Sequence, residues 1–158
     1  MANPTQLNKI LFLNQNRLLK VASPDGDNIQ SFNKESESKI AIGVFIAPDY
    51  TKMLLSLSNM SPNTPSSEFQ NQMSSPEFYT TLNYYLTNMN GEVIQKIDLN
   101  SLKLSLGNPR IIAFTGFSDD SSKLLVISYD NFPPKELKIA AYDFTTLKST
   151  ILLSRSIS

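Results

Sequence analysis

Two short acidic clusters contain the side chains whose chemistry could serve a metal ion. Asp25-Gly26-Asp27-Asn28 places several oxygen ligands close together, and Asp119-Asp120 does so again in the second half of the chain. Oxygen ligands suit Ca²⁺, but a calcium-binding hand spaces its ligands at alternate positions over about twelve residues and ends in Glu. Neither cluster has that spacing. We therefore expect these residues to form turns between strands, with no bound metal and no cofactor.

The composition removes most kinds of nucleophilic and acid–base catalysis. The 158 residues include no His and no Cys, so a Ser-His-Asp triad, a Cys-His dyad and a cysteine metal site cannot be built. Carboxylate pairs could hydrolyse a glycosidic bond, but the sequence does not identify any two carboxylates that lie within reach of each other. The five glycines are scattered, and none forms a phosphate-binding loop. The sequence predicts a protein that is not an enzyme and has no catalytic residues.

The charges argue against nucleic acid as a partner. Lys and Arg total 14, Asp and Glu total 14, and the formal net charge is zero. Nucleic-acid binding depends on neutralising phosphates, which usually requires a basic patch. No apolar run is long enough to predict a membrane-spanning helix. The first residues lack the basic and apolar parts of a signal peptide; this favours the cytoplasm, although a secreted protein trimmed of its leader would look the same.

Aromatic residues and loops remain as candidates for binding another molecule. Alternation along one predicted strand places Tyr84 towards the core and Tyr85 at a surface or at a contact between sheets. Segment 61–77 has three prolines and five serines, which is typical of a long exposed loop or insertion. These features, with two Gly-containing turns and the 131–135 loop, define a candidate interaction surface. Its residues are Asp25, Phe69, Tyr79, Tyr85, Asn90, Phe132 and Pro133.

Short apolar runs bounded by Asn, Asp, Gly, Pro and Ser predict an all-β chain. Helical spacing is not sustained for about twelve residues at any point. Without helices for crossovers, the sheets should be antiparallel. Asp25-Gly26 and Asn90-Gly91 predict tight hairpin turns, because both dipeptides tolerate positive φ. The predicted strands are 8–13, 17–22, 28–32, 39–46, 52–58, 78–87, 92–98, 102–106, 110–117, 122–129, 136–144 and 149–154.

An internal repeat organises these strands. Residues 46–55 match residues 117–126, and residues 26–32 match residues 91–97. Each match joins an apolar strand, a turn of small or acidic residues and a second apolar strand, so two matches in succession describe a four-stranded meander. One such sheet cannot bury both of its faces, and the copies must therefore stack.

The repeated phrase resembles that of a known family. Ala47-Pro48-Asp49-Tyr50-Thr51-Lys52-Met53-Leu54, and more weakly residues 118–125, resemble the F-S-P-D-G-K-x-L phrase of TolB-like and WD-repeat-like β-propellers. Tyr50 and Ser121 stand where the family has Gly, Asp119 stands where it has Pro, and no Trp-Asp pair occurs. The turn that ends at Gly91 is similar to the family's D-x-x-(T/G)-G turn.

The resemblance implies four-stranded antiparallel meander units in a partial β-propeller-like arrangement. Within a single domain, 1–158, it predicts a partial blade at 8–32, a blade at 39–98 with an insertion at 61–77, and a blade at 110–154. Propellers close with about four to eight blades, and this chain supplies at most three. It is therefore a segment of a longer propeller or a partial propeller that closes by self-association, unless the strands form a two-sheet β-sandwich or a barrel instead.

Three functions are compatible with these observations. The resemblance implies a non-enzymatic protein-interaction module that binds a protein partner or a second copy of itself. A β-sandwich that binds carbohydrate or another small ligand through Tyr79 and Tyr85 is an alternative. A further alternative is an accessory propeller segment of a larger hydrolase, similar to the propeller of prolyl-oligopeptidase-type peptidases.

Overall fold

Three antiparallel sheets make up most of the computed structural model, which describes residues 8–130 and 133–157. Sheet 1 contains β1 (Ile10–Leu13), β2 (Leu19–Ala22) and β3 (Gln30–Ser31). Sheet 2 contains β4 (Ile40–Ile46), β5 (Lys52–Ser58), β6 (Asn83–Asn88) and β7 (Val93–Lys96). Sheet 3 contains β8 (Ile111–Phe117), β9 (Leu124–Tyr129), β10 (Glu136–Asp143) and β11 (Lys148–Ser156). Within each sheet, every strand pairs with the next one along the chain, which confirms the predicted all-β fold of antiparallel meanders.

Short helices correct the sequence-based prediction in two places. Helix α1 (Ser66–Met73) and a 3-10 helix (Pro76–Thr81) occupy segment 61–77 and the start of the strand predicted at 78–87. Helix α2 (Leu99–Ser105) stands where a strand was predicted at 102–106. A further 3-10 helix spans Lys34–Ser36.

Helix α2 forms because its start is capped and one side of it is apolar. The Asp98 carboxylate accepts hydrogen bonds from the backbone N–H groups of Asn100 and Ser101 at 3.0 and 3.4 Å. Such a cap satisfies donors that the first turn of a helix leaves free. Leu102 and Leu106 are buried in the core between sheets 2 and 3. The helix therefore closes one end of that core on the way from β7 to β8.

The sheets stack in chain order, and sheet 2 is covered on both faces. One buried cluster joins Leu54 and Leu86 of sheet 2 to Val126 of sheet 3. A second cluster joins Leu55, on the opposite face of sheet 2, to Val21 of sheet 1. In sheets 1 and 2, we call the face directed towards the next sheet along the chain the forward face, and the opposite face the backward face. In sheet 3, the backward face is the one directed towards sheet 2, and the forward face is the opposite one.

The two matching segments of the sequence occupy equivalent places in sheets 2 and 3. In the hairpin between β4 and β5, the Ala47 N–H donates a hydrogen bond to the Lys52 carbonyl at 2.9 Å. In the hairpin between β8 and β9, the Ser118 N–H donates to the Lys123 carbonyl, also at 2.9 Å. The turns therefore have the same bond pattern, and the internal repeat is a repeat of structure.

The turn position where the family phrase has Gly adopts positive φ in both copies. Tyr50 has φ +55° and Ser121 has φ +59°, a left-handed conformation that favours glycine. Ser121 is 1% exposed, and its Oγ accepts a hydrogen bond from the Asp49 N–H at 3.0 Å. Its carbonyl also accepts a hydrogen bond from Lys52 Nζ at 3.1 Å. These contacts connect the turn of sheet 2 directly to the turn of sheet 3.

Replacing Ser121 with Ala should reduce the free energy of unfolding by about 1–3 kcal/mol, because the Asp49 N–H loses its acceptor. Urea denaturation measures the loss. Ser121→Gly removes the same oxygen but relieves the positive φ, so the difference between the two variants isolates the backbone strain. Tyr50→Ala is the matched control, since Tyr50 is exposed in the equivalent turn, and its effect should stay within about 0.5 kcal/mol. Equal losses at positions 50 and 121 would contradict the expectation.

Candidate interaction surface

Asp25 and Asn90 lie in equivalent hairpin turns of sheets 1 and 2, and both are exposed. The glycine after each has positive φ, +88° at Gly26 and +90° at Gly91, which confirms the predicted hairpins. A Cβ atom at Gly91 would lie 2.7 Å from the Phe32 carbonyl oxygen. The second turn is therefore packed against sheet 1 and needs glycine for close approach as well as for its conformation.

Tyr85 must be removed from the candidate surface, because it is buried at the contact between sheets 1 and 2. Its side chain is 5% exposed. Its hydroxyl lies 3.2 Å from Lys39 Nζ, from which it accepts a hydrogen bond. Lys39 also donates to Glu35 at 2.9 Å, and this hydrogen bond lowers the pKa of the Glu35 carboxyl. The ring of Tyr85 therefore cannot act as a platform for a sugar or a peptide.

Phe69 lies on α1, where a charged side chain covers its ring. The guanidinium carbon of Arg17 is 4.1 Å from the centre of the Phe69 ring, a distance at which a cation and an aromatic face attract each other. Arg17 Nη2 also donates a hydrogen bond to Ser66 Oγ at 3.0 Å. The segment predicted as a loop is therefore a helix held against the turn between β1 and β2.

Tyr79 and Pro134, which belongs to the loop predicted at 131–135, line the same apolar groove. The groove has a volume of about 350 Å³. Pro133, which precedes the lining residue Pro134, is exposed. Arg110 and Glu77 form an ion pair at 2.6 Å, and each is adjacent in sequence to a residue that lines the groove. Phe132 lies outside the described residues. The groove is lined by Pro76, Tyr79, Ile111, Ala113, Tyr129 and Pro134.

The groove continues into an apolar surface that the sequence analysis missed. Ile127 of β9 pairs with Ala113 of β8 and with Ile139 of β10, and Ile139 pairs with Leu153 of β11. Leu125 is two residues from Ile127 in the same strand and therefore lies on the same face. Leu153 is 47% exposed and the others are half-buried. These five residues form the partly exposed apolar row on the forward face of sheet 3, and neither buried cluster of the described residues includes them.

Sheet 2 shows how the same positions are packed when another sheet covers them. Leu54 pairs with Leu86, and in sheet 3 the equivalent positions are Leu125 and Ala141, which also pair. Leu54 and Leu86 are 0% and 1% exposed, because sheet 3 packs on them. Leu125 is only half-buried, whereas Ala141 is 6% exposed. The forward face of sheet 3 therefore has the apolar residues of a covered sheet face, but no sheet of the described chain covers it.

The acidic cluster at 119–120 acts as a turn. One carboxylate oxygen of Asp120 accepts hydrogen bonds from the Ser118 and Ser122 hydroxyls, at 2.6 and 2.7 Å. These hydrogen bonds hold the pKa of the carboxyl well below its usual range. Among residues 8–130 and 133–157, no three metal-ligating side chains come together.

No helix within the described part of the chain combines the length and the apolar character needed to cross a membrane.

Comparison with known proteins gives a likeness of fold alone. No family model matches the sequence, and a search of curated proteins finds no match. An uncharacterized protein from Listeria monocytogenes aligns with a TM-score of 0.52 and 14% identity over 92% of this chain and 37% of that chain. Prolyl oligopeptidase B from Galerina marginata aligns with a TM-score of 0.46 and 13% identity, over 94% and 20%.

An oligogalacturonate lyase from Vibrio parahaemolyticus aligns with a TM-score of 0.39 and 13% identity, over 94% of this chain and 50% of that one. The Listeria protein aligns with a TM-score above 0.5, and at 14% identity it shows a shared fold and nothing about activity. This chain spans 37% of the length of that protein.

Leu54 is fully buried and its equivalent Leu125 is only half-buried, so truncating the two side chains should affect stability differently. Leu54→Ala should lower the free energy of unfolding by about 2–5 kcal/mol, because it leaves a cavity between sheets. Leu125→Ala should cost roughly half as much or less, because its side chain keeps contact with water. Urea denaturation at low protein concentration, where the chain is not associated, makes the comparison. A loss at position 125 as large as that at position 54 would mean that the forward face of sheet 3 is covered within the single chain.

Proposed function

We propose that this chain is a non-enzymatic module of the TolB-like or WD-repeat-like β-propeller kind, which binds another protein through the forward face of sheet 3. One observation carries the proposal: Leu54 is fully covered in sheet 2, whereas its equivalent Leu125 is only half-buried, on an apolar face of sheet 3 that no sheet of the described chain covers. Apolar area removed from water contributes about 25 cal/mol per Å². A contiguous apolar face is therefore a preferred place for a protein partner to dock.

The shape of the surface favours a protein over a small ligand. Small-ligand sites are concave and enclose most of the ligand. Here the apolar row from Ala113 to Leu153 crosses all four strands of sheet 3, and the groove beside Tyr79 opens at its edge. The carbohydrate-binding alternative relied on aromatic side chains such as Tyr79 and Tyr85, and Tyr85 is buried. A sheet or another flat element of a protein matches the extended apolar row better.

The propeller-like part of the proposal is supported by the turns and by the stacking. Tyr50 and Ser121 have the positive φ that explains the Gly of the family phrase. Successive meanders pack face to face in chain order. Fold alone does not set function, and the proposed role depends on the uncovered face.

The proposed docking surface can be tested by photo-crosslinking in the native host. A photoreactive amino acid at position 153 should give a discrete cross-linked species, because Leu153 lies on the forward face of sheet 3. The same amino acid at position 104 is the control, since Leu104 is 76% exposed on α2. Adding Ile127→Glu should remove the species formed from position 153. Identical products from both positions, or no product from position 153, would contradict the proposal.

A further inference from the structure

We infer that the free edge of β11 binds an extended peptide segment, apolar at its centre and acidic towards its ends, which joins sheet 3 as a further strand. The inference goes beyond the proposed function, because it concerns the edge of sheet 3 and not its forward face. Three observations support it: the length and exposure of β11, the direction of its unpaired backbone groups, and its charge.

Strand β11 differs from the strands in the same outer position of the other two sheets. Sheets 1 and 2 end in β3 and β7, which have two and four residues, whereas β11 has nine. Short edge strands are one way in which proteins avoid pairing with other chains. After β3 and β7 the chain passes to β4 and β8 of the next sheets, and no strand of the described chain pairs with the outer edges that it leaves. A free edge therefore belongs to this position of the sheet, and β11 makes it long.

The backbone of β11 has hydrogen-bonding groups directed away from β10. Just after the strand, the Ile157 N–H donates to the Lys135 carbonyl at 2.8 Å. In an antiparallel pair, residues directed towards the partner alternate with residues directed away from it, and the register is regular from Leu153 to Ser156. Ser154 and Ser156 therefore direct their N–H and carbonyl groups to the free edge. Extended peptides are recognised at sheet edges through such groups.

Three successive apolar side chains are exposed at the centre of β11. Ile151, Leu152 and Leu153 are 47%, 59% and 47% exposed. Leu152 lies in a bulge, because its two neighbours pair with consecutive residues of β10 and it has no partner there. The bulge bends the strand, so the regular ladder for a docked segment begins at Leu153. Apolar residues of that segment would cover these side chains and remove their area from water.

Two exposed cations on β11 favour an acidic segment. Lys148 and Arg155 lie near the two ends of the strand, which contains no Asp or Glu. In the described part of the chain neither forms an ion pair. Arg155 lies opposite Leu137, and Lys148 lies opposite Asp143, whose carboxylate already accepts two N–H groups of the turn. Opposite charges on neighbouring strands attract, so a docked strand is expected to place carboxylates beside both cations.

The same charges disfavour a second copy of β11 as the occupant. When the whole of two identical strands pairs edge to edge in the antiparallel sense, Lys148 of one copy comes towards Arg155 of the other. In the parallel sense each cation comes towards its own counterpart. Like charges that lie opposite each other destabilise neighbouring strands. An acidic segment of another protein is therefore the better match.

Selection of peptides on the whole chain tests the inference. The probe is a library of random ten-residue peptides displayed on phage, and enriched peptides are synthesised and measured by fluorescence anisotropy. Enriched peptides should combine apolar residues with Asp or Glu. Arg155→Glu should weaken their binding about fivefold or more, because it reverses the charge beside the docked strand. Ile127→Glu, on the forward face of sheet 3, should leave their binding unchanged.

A pair of variants at position 154 tests the backbone contact itself. Ser154→Pro removes the N–H that is directed to the free edge, and proline is tolerated in an edge strand where its nitrogen faces solvent. Ser154→Ala is the matched control, because it keeps the N–H and loses the same hydroxyl, which bonds Glu136 at 2.8 Å. Enriched peptides should bind Ser154→Ala as they bind the wild type, and Ser154→Pro about tenfold or more weakly. Circular dichroism checks that both variants fold, and Arg155→Glu tests the edge independently of proline.

Four outcomes would overturn the inference. They are a selection that enriches no peptide, enriched peptides that are basic, equal binding to the two variants at position 154, and loss of binding in Ile127→Glu alone. The last would place the peptides on the forward face of sheet 3 and would support the proposed function. A dimer of the wild-type chain that Ser154→Pro converts to a monomer would mean that a second copy occupies the edge, which also contradicts the inference.

Discussion

The need to cover both faces of an antiparallel sheet is the constraint on which this structure depends. Neighbouring residues in a strand are directed to opposite faces, so a strand that buries consecutive side chains needs a cover on each side. Leu54 and Leu55 are adjacent in β5 and both are 0% exposed. Sheet 2 meets this condition only because sheet 1 and sheet 3 lie on either side of it. Strand β9 contains the equivalent apolar run, but there Val126 is covered and Leu125 is only half-buried.

The turns keep the sheets in equivalent positions. A non-glycine residue in the left-handed conformation costs roughly 1–2 kcal/mol, and both copies of the phrase accept that cost at Tyr50 and Ser121. Ser121 compensates through the Asp49 N–H and Lys52 Nζ, which bind its two oxygens. Lys52 Nζ also lies 5.7 Å from the centre of the Phe144 ring. Ser121, one of the residues that depart from the family phrase, therefore connects two neighbouring sheets.

Local patterns predicted the strands, because period-two alternation and turn residues act over a few positions. The strand predicted at 102–106 was wrong, because the structure has helix α2 there. Leu99, Leu102 and Leu106 have helical spacing, but over fewer than the twelve residues that the prediction required of a helix. Asp98 at the N-cap was the signal that could have identified the helix. Contacts distant in sequence could not be predicted. Alternation separates Tyr84 from Tyr85, but it does not say that both faces of sheet 2 are covered. A continuous apolar run such as Leu124–Ile127 is typical of a strand buried on both sides, and this pattern could have indicated the forward face of sheet 3.

Three aspartates already have structural roles as hydrogen-bond acceptors in turns and at a helix start. The carboxylates of Asp98, Asp120 and Asp143 each accept backbone hydrogen bonds from residues two or three positions further on. Hydrogen bonds from nearby Ser and Thr residues lower the pKa of all three carboxyls, so they stay ionised as cap and turn acceptors. A general acid needs the opposite, a carboxyl whose pKa is raised towards neutrality. These three carboxylates therefore serve as acceptors in two turns and at a helix start. The feature that lacks a packing partner in the described chain is apolar: it is the forward face of sheet 3, whose equivalent in sheet 2 is buried.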